Sequence, residues 1–270
     1  MVFMRNDLDL IIKTFPKTWD TLHLYAIGDV HVGSENFNSE AIHKKIKIIK
    51  DDPVGVVSLC GDLGDYGLKN SKSNVYKQTL SPDAQQKYIL ELFEPIKDKI
   101  VSAVPGNHEE RISKEVGLCP LYDLCVLWGI PDVYRENVAI LKVSFGKYKG
   151  GPAQNTFCGI TTHGSSRNKH KKHIAGYSGI DWAISGHNHT PEYSPHGRIH
   201  VNSQQGTAYW IPFKEIVVDA NLVPGGYSIK KEYEIPPPPE LQYLELTTRR
   251  SQKKGDATIQ KVINYHSIQI

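Results

Sequence analysis

Leu22-His23-Leu24-Tyr25-Ala26-Ile27-Gly28-Asp29-Val30-His31 sets the pattern of the whole chain. An apolar run only long enough for a buried strand is followed by a glycine and then by side chains that bind metals or carry protons. The same order recurs at Val54 to Cys60, Ile100 to Val104, Phe157 to Thr161 and Asp181 to Ser185. Helical patterns lie between these runs. Ser39 is the expected N-cap of a helix that places Ile42, Ile46 and Ile49 on one face. Ser81-Pro82 opens a second helix, with Ala84, Tyr88, Leu92 and Ile96 at helical spacing, and Leu118 to Trp128 forms a third. Strand, loop and helix in repeated succession predict an α/β fold.

From about Asn137 the pattern turns toward antiparallel β structure. Val138 to Phe145 alternates, Gly150-Gly151-Pro152 turns, and Asn155 to Thr161 runs back. Short strands are expected through Ile199 to Trp210 and Ile216 to Ala220. The prolines Pro236 to Pro239 cannot join a ladder and read as a stiff connector. The expected organisation is therefore a catalytic domain over 1–234, a connector over 235–240 and a C-terminal β extension over 241–270. The extension, with strands at Leu241 to Thr247 and Thr258 to Ile270 around the turn Arg249 to Asp256, either returns to the body or docks on a partner.

Composition narrows the function. The 270 residues carry a formal charge of +3, too little for a nucleic-acid coat, and 39% apolar residues before counting 22 Gly, which excludes disorder and collagen. The four cysteines form no C-x-x-C pair and read as reduced thiols. Arg5, Asp7 and Asp9 interrupt the apolar start, so no signal peptide is expected, and no apolar stretch reaches the ~20 residues that cross a bilayer. A soluble, cytoplasmic protein with no membrane partner is the expectation, and the sequon Asn188-His189-Thr190 is then accidental.

The chemistry lies in the loops. The five runs deliver, in order, Asp29 and His31; Asp62 and Asp65; Asn107 and His108; His163; His187 and His189. Loops that follow parallel strands share one sheet edge, where ligands bind, so these groups can converge. Taken singly each is ambiguous: a lone loop histidine is usually solvated or structural, and Asp also caps turns. Five of the twelve histidines in these positions are harder to dismiss. Gly61-Asp62-Leu63-Gly64-Asp65 lacks the G-x-G-x-x-G spacing of a dinucleotide loop and would repel pyrophosphate. The glycines before Asp29, Asp62, Asn107 and His187 are expected to let the backbone turn sharply there.

The ordered set Gly28-Asp29-Val30-His31, Gly61-Asp62-Leu63-Gly64-Asp65, Gly106-Asn107-His108-Glu109, His163 and Gly186-His187-Asn188-His189 resembles the calcineurin-like metallophosphoesterase superfamily. The resemblance implies two mixed β-sheets flanked by helices. It implies two divalent metal ions, manganese foremost, with Fe, Zn or Mg also accepted. Asp29, His31 and His189 would hold one ion, and Asp62 would bridge to a second held by Asn107, His163 and His187. A metal-bridging hydroxide would attack a phosphoester, with His108 as the general acid and Asp65 or Glu109 orienting it.

The substrate is less legible. Protein phosphatases of this superfamily carry arginines where this chain has Tyr66-Gly67 and Pro105. Arg111 is a candidate phosphate contact, against the reading of a surface arginine. The basic segment from Ser165 to His173, with Arg167 and Lys169, is a candidate substrate-binding loop beside the metals, although such runs commonly face water. Phosphodiesters of nucleotides or nucleic acid are the favoured substrates. A phosphomonoesterase is the alternative, and a non-catalytic scaffold of the same fold the remote one.

Overall fold

The structure is a computed structural model that describes residues 8–69, 71, 75–147, 154–225, 238–250 and 259–270. The elements run β1 (Ile11–Thr14), β2 (Thr21–Ile27), α1 (Ser39–Asp51), β3 (Gly55–Leu59), α2 (Pro82–Phe93), β4 (Ile100–Ala103), α3 (Asn107–Val116) and α4 (Pro120–Leu127). They continue with β5 (Val138–Phe145), β6 (Asn155–Thr162), α5 (Arg167–Ala175), β7 (Trp182–Ser185), β8 (Glu192–Asn202), β9 (Thr207–Val217), β10 (Glu240–Arg250) and β11 (Ile259–Gln269). One sheet has six strands in the order β1-β5-β6-β7-β9-β8, and the other has five in the order β11-β10-β2-β3-β4.

Side-chain alternation explains the layering. In β2, Leu22, Leu24 and Ala26 face the second sheet, where Leu141, Phe157, Trp182 and Ile216 pack against them. Tyr25 and Ile27 point the other way, onto Ile42, Ile46 and Ile49 of α1 and Ile89 and Phe93 of α2. A strand buried on both faces must be apolar at almost every position, which is why this run dominates the sequence. On the far side, Ile160, Ala183 and Phe213 pack on Ile174 of α5. The result is two mixed sheets, core to core, with helices outside.

Several details differ from the sequence reading. Asn38, not Ser39, caps α1, its Oδ1 accepting from the Ala41 amide at 3.1 Å. Helix α2 buries Gln85, Ile89, Leu92 and Phe93 rather than a stripe through Ala84 and Tyr88, because Gln85 turns inward to accept from the Tyr66 amide. The expected short strands near 199–220 are one long hairpin, β8 and β9 paired from Glu192↔Val217 to Asn202↔Thr207. Pro195 masks β8 in the sequence, and as an edge strand β8 tolerates it. The Gly150-Gly151-Pro152 turn, most of the Arg249 to Asp256 turn and Pro236 and Pro237 fall outside the described residues.

The C-terminal strands return to the body. β10 pairs antiparallel with β2 from Tyr243↔Tyr25 to Thr247↔Thr21, and Leu241, Leu244 and Leu246 are fully buried. All four cysteines are free. Among the described residues no helix is long and apolar enough to cross a membrane.

One buried ion pair ties α1 to the segment after β9. Lys45, 2% exposed, places Nζ 2.8 and 3.0 Å from the two carboxylate oxygens of Asp219. Burial lowers the lysine pKa and raises that of Asp219, each offset in part by the other's charge. Lys45→Met strands the carboxylate and should cost about 3–5 kcal/mol of stability in urea denaturation. The sign with pH follows from the raised acid: without its cation Asp219 folds most readily protonated, so the deficit should be smallest in acid and grow as pH rises through the folded pKa. A deficit independent of pH would contradict this account.

Candidate metal centre

The rim that collects the chemistry is built by both sheets. The loops after β2, β3 and β4, parallel neighbours in one sheet, bring Asp29, His31, Asp62, Asp65, Asn107 and His108. Those after β6 and β7, parallel neighbours in the other, bring His163, His187 and His189.

Two nests of donor atoms result. In the first, His31 Nε2 lies 3.0 Å from His189 Nε2 and 4.0 Å from Asp29 Oδ1, while His189 Nε2 lies 3.6 Å from the same oxygen. In the second, His163 Nε2 is 3.2 Å from Asp62 Oδ2 and 3.2 Å from Asn107 Oδ1. There His187 Nδ1 is 2.8 Å from Asn107 Oδ1 and 3.2 Å from His163 Nε2. Spacings of about 3 to 4 Å are those of ligands sharing a cation at roughly 2.0–2.2 Å from each. Asp62 adjoins both nests, grouping with Asp29 and His163 on one side and with His31 and His108 on the other.

The donor set fits divalent cations. Asp29 Oδ1 is buried and accepts no hydrogen bond, and among the described residues nothing else satisfies it. Its other oxygen accepts from the His187 amide at 2.8 Å. Asp62 is held likewise, Oδ1 accepting from the His108 amide at 2.8 Å while Oδ2 faces His163. Each carboxylate thus has one oxygen fixed by backbone and one turned to the centre. His163 donates Nδ1–H to the Cys60 carbonyl at 2.7 Å, which turns Nε2 toward the centre.

Electrostatics point the same way. Burial pushes the Asp29 carboxyl up to about 7, with the Asp62 charge adding to the effect. His163, which burial alone would lower, is lifted to about 10 by the carboxylates of Asp62 and Asp29. Asp62 lies well below the usual range because histidines outweigh its burial. Two buried acids in contact need positive charge between them, and a divalent cation supplies it.

The backbone is strained where the side chains are presented. Asp29, His31, Asp62, His187 and His189 all have positive φ, between 49° and 73°. Each such residue costs on the order of 1–3 kcal/mol and persists only where its surroundings fix it. Here the Asp29 amide donates to Gly61 O, and those of Val30 and His31 donate to Asp62 O. The sequence reading gave the turning role to the preceding glycines, yet of the four only Gly61 has positive φ. Gly106 and Gly186 serve close approach instead. A Cβ on Gly106 would sit 2.0 Å from Asp62 Oδ1, and one on Gly186 would sit 2.6 Å from Asp29 Oδ2.

His108 stands beside the nests. Its Nδ1 donates to the Asp65 carbonyl at 2.6 Å, and its Nε2 is 3.8 Å from Asp62 Oδ2. Burial lowers its pKa, but Asp65 and Asp62 more than offset that, and the net shift is upward. The Asp65 carboxylate lies 3.3 Å from His108 Nδ1 and 3.4 Å from His31 Nδ1 and accepts from Gln78. Glu109 does not orient His108. Its buried carboxylate accepts from the amides of Asp62, Leu63 and Gly106 at 2.7–2.8 Å, so it shapes the loop that carries Asp62. The reason is helical geometry: at the third position of α3, Glu109 turns back to the helix start.

Arg111 lies close enough for its charge to oppose protonation of His108, and its buried Nη1 has no hydrogen-bond partner among the described residues. A cleft of about 290 Å³ opens beside the second nest, lined by Asn107, His163, His187, Glu110, Glu136 and Ser165 among others. Among the described residues of the basic segment only Ser165 reaches this wall, beside Gly164; Lys169 is exposed on α5, and the Arg167 side chain lies outside the described residues. Sequence reading missed the acidic wall, for Glu110 and Glu136 look like ordinary surface residues. It also missed the Cys60 carbonyl, which no side-chain pattern can reveal.

The calcineurin-like phosphoesterase family model matches residues 22–191, and with this rim the chain belongs to that family. No curated protein matches it. Family and site together define a metal-dependent phosphoester hydrolase whose donor clusters can hold its cations.

Proposed function

We propose that the protein hydrolyses small phosphodiesters, nucleotides among them, at a two-cation centre held by Asp29, His31, Asp62, Asn107, His163, His187 and His189. Bound there, divalent cations, Mn²⁺ the first choice, would neutralise phosphoryl charge and activate a water for attack. His108 keeps a proton on Nε2 for the leaving oxygen, since Nδ1–H is committed to the Asp65 carbonyl. Asp65 steadies that ring, and Glu109 holds the Asp62 loop.

The observation that carries the diester preference is the charge of the cleft wall. Glu136 and Glu110, the latter paired with Lys114 at 2.8 Å, line it, and among the described residues no Lys or Arg does. A phosphomonoester brings about two negative charges at neutral pH and a diester one, so carboxylate walls disfavour the monoester more. The same walls disfavour long polyanions, which supports nucleotide-sized diesters over nucleic acid. Tyr66-Gly67 and Pro105 in place of the phosphatase arginines agree with this. Arg111, with its buried unpartnered Nη1, favours the second reading, a phosphomonoesterase.

Turnover of bis-p-nitrophenyl phosphate and p-nitrophenyl phosphate with Mn²⁺ separates the two. The diester should be the better substrate by kcat/KM, and Glu136→Gln should narrow the gap by helping the monoester. A faster monoester in the unaltered protein would reverse the assignment.

A further inference from the structure

The β8–β9 hairpin has a part that, among the described residues, no other strand supports. β9 pairs with β7 only from Lys214↔Trp182 to Val217↔Ser185, whereas its pairing with β8 continues to Asn202↔Thr207. From Phe213 outward the hairpin is a two-stranded ribbon. Because β9 is parallel to β7, whose C-terminal end leads to His187 and His189, the ribbon points away from the metal rim. It is therefore not part of the site already described.

The two faces of the ribbon differ. On one, Arg198 stacks over Phe213 at 4.0 Å and donates from Nη1 to the Tyr177 carbonyl at 2.5 Å, so this face rests on the end of α5. The opposite face is formed by Gly197, Ile199, Val201, Ala208, Trp210 and Pro212, and all six are exposed. Ile199 is 77%, Val201 67% and Trp210 72% accessible. The Trp210 indole occupies the space over Gly197, where a Cβ would come within 1.5 Å of Nε1. The glycine leaves room for a large aromatic ring on an open surface, where it can serve as a binding anchor.

We infer that this face is a self-association surface, on which a second copy of the chain packs its own ribbon face to face about a twofold axis. Three observations choose that occupant. The six residues carry no charge, and the next residue on this face, Lys214, is drawn over the Tyr193 ring at 5.5 Å, so the patch meets its own image without like-charge repulsion. Its area suffices: with ~150–250 Å² as the yardstick for one aromatic side chain, the six residues offer roughly 500 Å², and two copies reach the ~1,000 Å² of a specific interface. An isolated two-stranded ribbon is marginal in water, and a second ribbon supplies the missing layer. A bilayer fits less well, since the tip that would enter first is Ser203-Gln204-Gln205-Gly206 and none of the six patch residues is Lys or Arg. Both metal rims stay open in such a dimer.

Sedimentation equilibrium of the full chain tests this. The unaltered protein should be a dimer at micromolar concentration. Trp210→Glu should raise the dimer dissociation constant at least ~30-fold, with hydrolysis rate, metal content and circular dichroism unchanged. Ile199→Lys is the second variant and should act in the same direction if Trp210→Glu disturbs folding. A protein that stays monomeric at its highest soluble concentration would overturn the inference, as would two folded variants that associate as tightly as the parent. A monomer that co-sediments with phosphatidylcholine–phosphatidylglycerol vesicles would overturn it in favour of a lipid surface.

Discussion

His108→Ala is expected to lower kcat by about 100- to 10,000-fold, the usual worth of a positioned proton donor, while the protein still binds two metals. The separation is possible because the His108 ring contributes no atom to the tighter donor contacts. Only its amide does, and that amide, which holds Asp62 Oδ1, survives the substitution. The ring is tuned for donation by the Asp65 carbonyl, which takes Nδ1–H and leaves the second proton on Nε2. Its pKa is raised by Asp65 and Asp62 against burial and Arg111, so the donating form persists toward neutral pH. Metal analysis alongside kcat decides the matter. Wild-type turnover in His108→Ala would remove the proton-donor role, and loss of metal would make the residue a ligand.

Asp62→Ala should do the opposite kind of damage. Asp62 is the acid that adjoins both donor nests, so its removal should weaken metal binding more than the 10- to 100-fold typical of a supporting residue, and activity should fall with occupancy. Asp62→Asn keeps the shape and the acceptor for the His108 amide but loses the charge. It should bind metal more weakly than the parent and more tightly than Asp62→Ala. Metal content against added Mn²⁺ gives the order of the three. If Asp62→Ala retains both ions at parental affinity, the bridging assignment fails. The substitution also leaves the His108 amide and the surrounding histidines without their acidic partner, so apoprotein stability should be measured beside metal occupancy.

Much of this centre is legible in the chain because strand runs and ligand loops are short-range features. The run Leu22 to Ile27 becomes β2 with a one-residue shift, and Asp29 and His31 follow where the spacing puts them. The meeting of the loops is expected from parallel strands that share one sheet edge, but the rim is instead built by two sheets, β2 to β4 in one and β6 and β7 in the other. Other features are invisible to local pattern. Glu109 was expected near His108 and instead turns back on its own helix start, an effect of three backbone amides gathered from two loops. The glycines drew attention through φ, yet at Gly106 and Gly186 the constraint is the bulk of a carboxylate from a distant loop. The long hairpin was broken up by Pro195 and Pro212, which edge placement and the unsupported ribbon allow.

The position of β10 has a temporal consequence. β2, which presents Asp29 and His31, lies between β3 and β10, and its β10 partners are residues 243–247. While the polypeptide leaves the ribosome, every candidate metal ligand emerges before the strand that closes the sheet beside the first of them. Until then β2 has an open flank, and the order of synthesis runs ahead of the order of assembly.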